Sequence, residues 1–392
     1  MSGFDRVVVV GASLAGLRAV QALGDVGFPG EITVIGAEAH LPYNRPPLSK
    51  SALDGDDDVS LPGAESLGDG WLRGRRATAL RQQDKTVVLD DGSEVPYDGL
   101  VIATGARPRQ LGEHPSWVHT LRTLDDALTL RAALANWPDR VTIVGGGFIG
   151  SEVASTARRQ GLSVTLVDAG PYPMLATLGR HAARWLAGHH TRHGVELVTG
   201  SRVRAFDEDG LPAVRLEDGR SIQAELVVAG MGVVADTAWL EGSGLKLDSG
   251  VIATNTLFAE GTDTIVAAGD VARWSHDLFA GALVRVEHWA NANEQGALAA
   301  RNLLAGPSAA QPYSAVPSFA THIHGARIQT AGLPYLADEE RIVFGAVEDD
   351  QFATAFLANG VLVGAVAVNA HKELNRFRRA IAARASLGDI AV

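Results

Sequence analysis

Short runs of β-branched residues recur along this chain. Two of them run into glycine-rich turns that open a helical periodicity. RVVVV ends at Val10 and meets GASLAG at 11–16; LRAVQALGDVG then repeats apolar residues at helical spacing, and EITVIG at 31–36 is the next strand. The pattern restarts at 141: VTIVGGGFIGSEVASTARRQG is strand, loop and helix, and LSVTLVDAG is the strand after it. LVIATGA (100–106) is a buried strand ending in small residues, and RSIQAELVVAGMG (220–232) repeats that hairpin-and-strand pattern.

Three prolines in LPYNRPPLSK (41–50) forbid a regular helix there and stiffen the loop. Residues 75–97 form a hairpin turning at Asp91-Gly92. DTIVAAGDVA (263–272) is a strand running into Gly-Asp, and WANANEQGALAARNLLAG (289–306) is a helix ending at Gly306. Beyond Gly306-Pro307 the pattern predicts a small α+β tail, with strands at 327–332, 341–346, 353–358 and 361–368 and a basic helix at 371–385. The fold class expected is α/β, with two doubly wound dinucleotide-binding domains and a small α+β C-terminal domain. The expected division is 1–108 with 237–311, 109–236 inserted between them, and 312–392.

The second loop carries Gly145, Gly147 and Gly150 in G-x-G-x-x-G spacing. The first glycine permits the tight turn, the second admits a pyrophosphate close to backbone, and the third lets helix and strand pack. The pyrophosphate then rests on a helix N-terminus. The first loop has Gly11, Ser13 and Gly16, a weaker match because Ser13 takes the middle place. Each loop has an acid downstream for ribose hydroxyls: Asp168, 18 residues past Gly150, and Glu38, 22 past Gly16. Asp168 would repel a 2′-phosphate and so favours NAD over NADP.

Composition narrows the chemistry further. A formal charge of −11 argues against general nucleic-acid binding. No apolar run is long enough for a membrane span, and a cytoplasmic protein is expected. With 0 cysteines the chain has no disulfide, thiol catalysis or cysteine-ligated metal. His322 and His324 alternate on a strand as two metal ligands would, but with no third ligand in view no metal is expected.

The motifs GASLAG, RPPLSK, LVIATGA, LRTLDDA, GGGFIGSE, GDVA and EHWANANEQG, in this order, resemble the FAD-dependent NADH:ferredoxin reductases of bacterial oxygenase systems, the putidaredoxin reductase type. The resemblance runs over nearly the full length. It implies a glutathione reductase-like fold with an FAD domain, an inserted NAD domain and a C-terminal interface domain. It implies FAD binding by Gly11, Ser13, Leu14, Ala15, Gly16, Glu38, Ala103, Thr104, Gly105, Arg122, Asp270, Glu287, His288 and Trp289. Arg45 and Lys50 would lie along the flavin. It implies NADH binding by Gly145, Gly147, Phe148, Ile149, Gly150, Asp168, Gly230 and Gly232. Glu152 would approach Lys50 and the nicotinamide, so that Lys50, Glu152 and Trp289 are the expected catalytic set.

Two stretches depart from the family pattern. Tyr172 and Ala176 stand where arginines facing the adenosine end are expected, which disfavours NADP and lowers the expected hold on NADH. In PSFATHIHG (317–325), Ala320 replaces a tryptophan and His322-Ile323 replaces Asp-Gln. FAD couples a hydride donor to one-electron acceptors, and without cysteine the acceptor must be external. A two-iron ferredoxin is the expected partner. Its docking face would be Arg73, Arg75 and Arg76, with Arg81, or Lys372, Arg376 and Arg379, with Arg378 and Arg384. An NADH-dependent quinone or oxygen reductase, or a redox-sensing binding protein like apoptosis-inducing factor, are the alternatives. Monomer and homodimer both stay open.

Overall fold

The computed structural model describes residues 3–56, 58–68, 70–112, 114–207 and 212–389. Its α-helices over those residues are α1 (Leu14–Asp25), α2 (Leu124–Ala135), α3 (Phe148–Arg159), α4 (Leu175–Arg192), α5 (Trp289–Ala305) and α6 (His371–Ala382). The chain divides into two compact units, one of residues 1–44, 60–107 and 234–317, the other of 45–59, 108–233 and 318–392.

The first unit is built on a parallel sheet of five strands. Their order is Ile265–Ala267, Gly99–Ile102, Arg6–Val10, Glu31–Gly36 and Trp71–Arg73. A central parallel strand is covered on both faces, so it needs apolar residues at every position. Val7, Val8, Val9 and Val10 meet that need, each at most 2% exposed. One face of the sheet packs on Leu80, Val87, Tyr97, Trp239 and Leu240. The other carries α1, which α5 crosses so closely that a Cβ on Gly296 would lie 2.1 Å from the Ala15 carbonyl oxygen.

The second unit repeats the plan. Its parallel order is Val195–Thr199, Val164–Asp168, Val141–Val144, Leu226–Ala229 and Val118–His119. In both sheets the strand before the glycine loop is central and its neighbours run off to either side. The loop therefore opens where the strand order reverses, the usual ligand crevice of such sheets.

This unit also contains an antiparallel sheet ordered Ser318–Ile323, Ala326–Gly332, Val361–Val368, Gln351–Ala358 and Glu339–Ala346. α6 packs on it through buried Leu374, Phe377 and Ile381. α4 was absent from the sequence pattern. It is broken at Gly179, whose φ of 72° ends one helical turn and starts another. Glu340 of the antiparallel sheet accepts hydrogen bonds from the Arg180 and His181 backbone amides at 2.8 and 2.9 Å, serving as the cap of the resumed helix.

Several local expectations change. Within the proline-rich loop 41–50, Pro46–Ser49 forms a 3-10 turn, and a second turn, Ser51–Asp54, follows it. Proline suits the first turn of a helix, where its missing N–H would be unpaired anyway. The strand Ser318–Ile323 precedes those predicted for the tail. His324 lies beyond its end, in the turn to the next strand with φ 49°, so it does not share a strand face with His322. The basic helix stops at Ala382, three residues early.

Candidate functional site

Two helix N-termini are prepared for phosphate. Ser13 and Gly147 are the N-caps of α1 and α3; neither gives a side-chain cap, and neither helix has an acid in its first turn. The leading amides and the helix dipole are thus left for an anion. The glycines divide the work. A Cβ on Gly16 would sit 1.8 Å from the Gly11 carbonyl oxygen, and one on Gly150 would sit 1.9 Å from that of Gly145. Gly11 and Gly145 have φ of 110° and 98°, and their Cβ positions fall 2.1 and 2.2 Å from the carbonyl oxygens of Ala103 and Gly230. These four are required by the chain itself. Gly147 differs: no atom lies within 4 Å of its Cβ position. Leu14 and Ala15 are buried in the first turn of α1. In the first turn of α3, Phe148 packs against Phe319 with ring centres 3.8 Å apart and the planes tilted by 48°, and Ile149 is exposed.

Asp168 ends its strand beside the second loop. Its two carboxylate oxygens accept from the Gly146 and Gly170 amides, both at 2.7 Å. The acid is thus held in place, with lone pairs left over to accept further hydrogen bonds. Glu38 accepts from the Tyr43 hydroxyl at 2.6 Å.

The Pro46–Ser49 turn and α3 build a buried charge cluster. Glu152 is 4% exposed, and Lys50 Nζ stands 2.7 Å from its Oε1. Ser49 Oγ donates to Oε2 at 2.5 Å, and Thr321 Oγ1 donates to Oε1. Thr156 Oγ1 fixes the Ser49 carbonyl at 3.1 Å, and the Lys50 ammonium also donates to the Pro46 carbonyl at 3.2 Å. Lys50 and Glu152 are legible in the sequence motifs; Ser49 and Thr321 are not. Ser49 lies inside RPPLSK, and Thr321 sits at the centre of the segment that departs from the family pattern.

The remaining candidates are scattered through both units. Arg45 Nη1 donates to the Arg122 carbonyl at 2.5 Å, and the Arg122 amide donates to Asp126 at 2.9 Å, both in the second unit. In the first unit, Ala103 is buried, Thr104 Oγ1 donates to the Asp236 carbonyl at 2.8 Å, and Gly105 takes φ 72°. Asp270 lies in the 3-10 turn Gly269–Val271. There Gln295, fully buried on α5, accepts from the Gly269 amide at 2.9 Å while its own Nε2 has no protein partner among the described residues. Glu287 is held by Arg285 at 2.7 Å, His288 is the N-cap of α5, and Trp289 begins that helix 43% exposed. An exposed indole and an orphaned buried amide beside Asp270 suit a bound group better than a closed core. Gly230 and Gly232 follow the strand Leu226–Ala229. Among the described residues no group of three or more His, Asp or Glu has the arrangement to hold a metal.

Two parallel sheets, each offering an uncapped helix N-terminus and a glycine loop at its switch point, define an oxidoreductase of the two-dinucleotide class. Comparison with known proteins narrows the class. Residues 5–296 match the pyridine nucleotide-disulphide oxidoreductase family and 319–392 match the reductase C-terminal domain, so the chain belongs to that family, an FAD-dependent one that also uses NADH. The chain is 36% identical over 395 residues to the ferredoxin reductase component of chlorobenzene dioxygenase from Cupriavidus sp. (strain PS12), covering 97% of this chain and 93% of that one. It is similar to the solved ferredoxin reductase for the CYP199A2 system from Rhodopseudomonas palustris, at TM-score 0.90 and 30% identity over 98% and 96% of the two chains. The putidaredoxin reductase in its covalent complex with putidaredoxin matches at TM-score 0.89 and 30% identity, over 97% and 93%. No helix among the described residues is long and apolar enough to cross a membrane.

Proposed function

We propose that this protein is an NADH:ferredoxin reductase, holding FAD on the first sheet and NADH on the second, and passing electrons to a two-iron ferredoxin that serves a cytochrome monooxygenase or a ring-hydroxylating dioxygenase. The proposed division is 1–108 with 237–311 for FAD, 109–236 for NADH, and 312–392 for the interface domain. The observation that carries the reading is a pair of uncapped helix N-termini in a chain with 0 cysteines. Relatives that reduce disulfides need a thiol pair, which this chain lacks, so its electrons must leave for another molecule.

When bound, FAD supplies the chemistry of accepting a hydride and releasing electrons singly. The chain's own residues do the rest. The α1 and α3 amides bind the pyrophosphates, and Asp168 orients the adenosine ribose of NADH. Lys50 sets a positive charge beside the reacting rings, and Glu152 holds that ammonium in one direction. Trp289 shields the flavin from water. The reading places the protein in the cytoplasm, where NADH is its electron source.

Between the two basic faces, α6 is the better dock. Arg75, Arg76 and Arg81 are matched by Asp91, Asp236 and Glu94, and Arg73 lies over the Trp71 ring at 4.2 Å. On α6 only Arg376 has an acid, Glu373 at 3.5 Å, while Lys372, Arg378 and Arg379 have no acidic partner among the described residues. The experiment for the reading is NADH-driven cytochrome c reduction with and without an added two-iron ferredoxin; direct quinone or oxygen turnover of equal speed would favour the alternatives.

A further inference from the structure

The strand Ser318–Ile323 and the turn that follows it lie along one face of α3 and meet it at three successive points. Phe319 packs against Phe148 with the rings tilted, Thr321 donates to Glu152, and the His324 amide donates to Ser155 Oγ at 2.8 Å. The helix contributes residues three or four apart, which share one of its faces. The middle contact is the chemical one. Glu152, Thr321 and Ser49 are 4%, 1% and 1% exposed.

A buried carboxylate needs every one of its hydrogen bonds, because each lost donor leaves part of its charge unsolvated. Here two hydroxyls and one ammonium meet Glu152, and Oε1 is shared by Lys50 and Thr321. Without Thr321, Lys50 is the sole partner of Oε1. The carboxylate is then free to turn toward the lysine, and the ammonium moves with it.

We infer that Thr321, with Ser49, is a positioning residue for hydride transfer: its hydroxyl fixes the Glu152 carboxylate and, through it, the Lys50 ammonium. This assigns the antiparallel sheet a part in the NADH half-reaction besides any part in partner docking. The inference rests on the proposed role of Lys50 and Glu152.

The test is stopped-flow reduction of the flavin by NADH in the FAD-loaded protein. Thr321→Val keeps the shape and removes the donor; it should slow reduction at saturating NADH by about ten-fold, with NAD+ affinity near that of the parent and a lowered melting temperature. Thr321→Ser should restore most of the rate. In a Glu152→Gln background, Thr321→Val should add less than two-fold, because the group it positions is gone. A Thr321→Val rate within two-fold of the parent, or a full ten-fold loss in the Glu152→Gln background, overturns the inference. If Glu152→Gln and Lys50→Met themselves reduce flavin at the parent rate, the underlying reading fails instead.

Discussion

The Lys50 ammonium stands 2.7 Å from Glu152 Oε1, one partner a third exposed and the other nearly fully buried. The pair is not an ordinary surface ion pair, for which a few tenths of a kcal/mol is usual. Removing the lysine leaves a buried carboxylate supported by two hydroxyls alone. Lys50→Met should therefore cost about 1–3 kcal/mol of stability and slow flavin reduction by NADH ten-fold or more. Stopped-flow at saturating NADH checks this, and an unchanged rate removes Lys50 from the reaction.

The second loop permits a clean separation of chain and ligand requirements. Gly150→Ala would drive a methyl into the Gly145 carbonyl, a clash at 1.9 Å, so the protein should lose several degrees of melting temperature. Gly147→Ala meets open space, and its φ of −71° suits alanine. That variant should melt like the parent yet bind NAD+ about ten-fold more weakly, because the space is needed by the ligand. Calorimetric titration of NAD+ decides the matter; unweakened binding would mean that the pyrophosphate lies elsewhere.

Four histidines gather where α4 ends against the turn at 324. His190 Nδ1 and His324 Nε2 are 3.0 Å apart, and the His193 and His324 rings stack at 4.5 Å, with His189 beside them. Burial, and then the neighbouring imidazoles, push His190 down to about 3 and His324 to about 4. Arg158 and Arg159 face His324 and add to its shift. Below the ordinary histidine value of 6.5 the unfolded chain takes up protons that the folded chain refuses. The stability these sites hold is thus complete above about pH 6.5 and is lost as pH falls toward 3. Melting temperature should fall across that window, and fall less steeply in His190→Gln. Parallel slopes would show that the cluster does not titrate on unfolding.

The basic face of α6 gives a kinetic prediction. Lys372→Glu with Arg378→Glu should raise the KM for an acidic two-iron ferredoxin and flatten its dependence on ionic strength, while NADH-driven reduction of ferricyanide stays constant. Equal KM values in the parent and the double variant would move docking to another surface.

The legible parts of the sequence were those where the chain's own geometry dictates residue type. Val7–Val10 must be apolar because the central strand is covered twice, and Gly16 and Gly150 must lack a Cβ because a carbonyl fills its place. Such constraints are local and periodic, so they show in one dimension. α4 escaped because Gly179 interrupts its period and Glu340, 160 residues away, supplies its cap. Thr321 escaped for the same reason. Its hydroxyl has meaning only beside Glu152, which is 169 residues distant. The two histidines read as an alternating pair were separated by a turn, and His324 found its partners on α4 instead.

The most direct test of the central claim is NADH-driven reduction of cytochrome c by the FAD-loaded protein, measured with and without a two-iron ferredoxin. Slow reduction by the reductase alone and strong, saturable stimulation on addition of ferredoxin are expected. Equal rates with and without ferredoxin, alongside rapid direct turnover of quinone or oxygen, would contradict that claim.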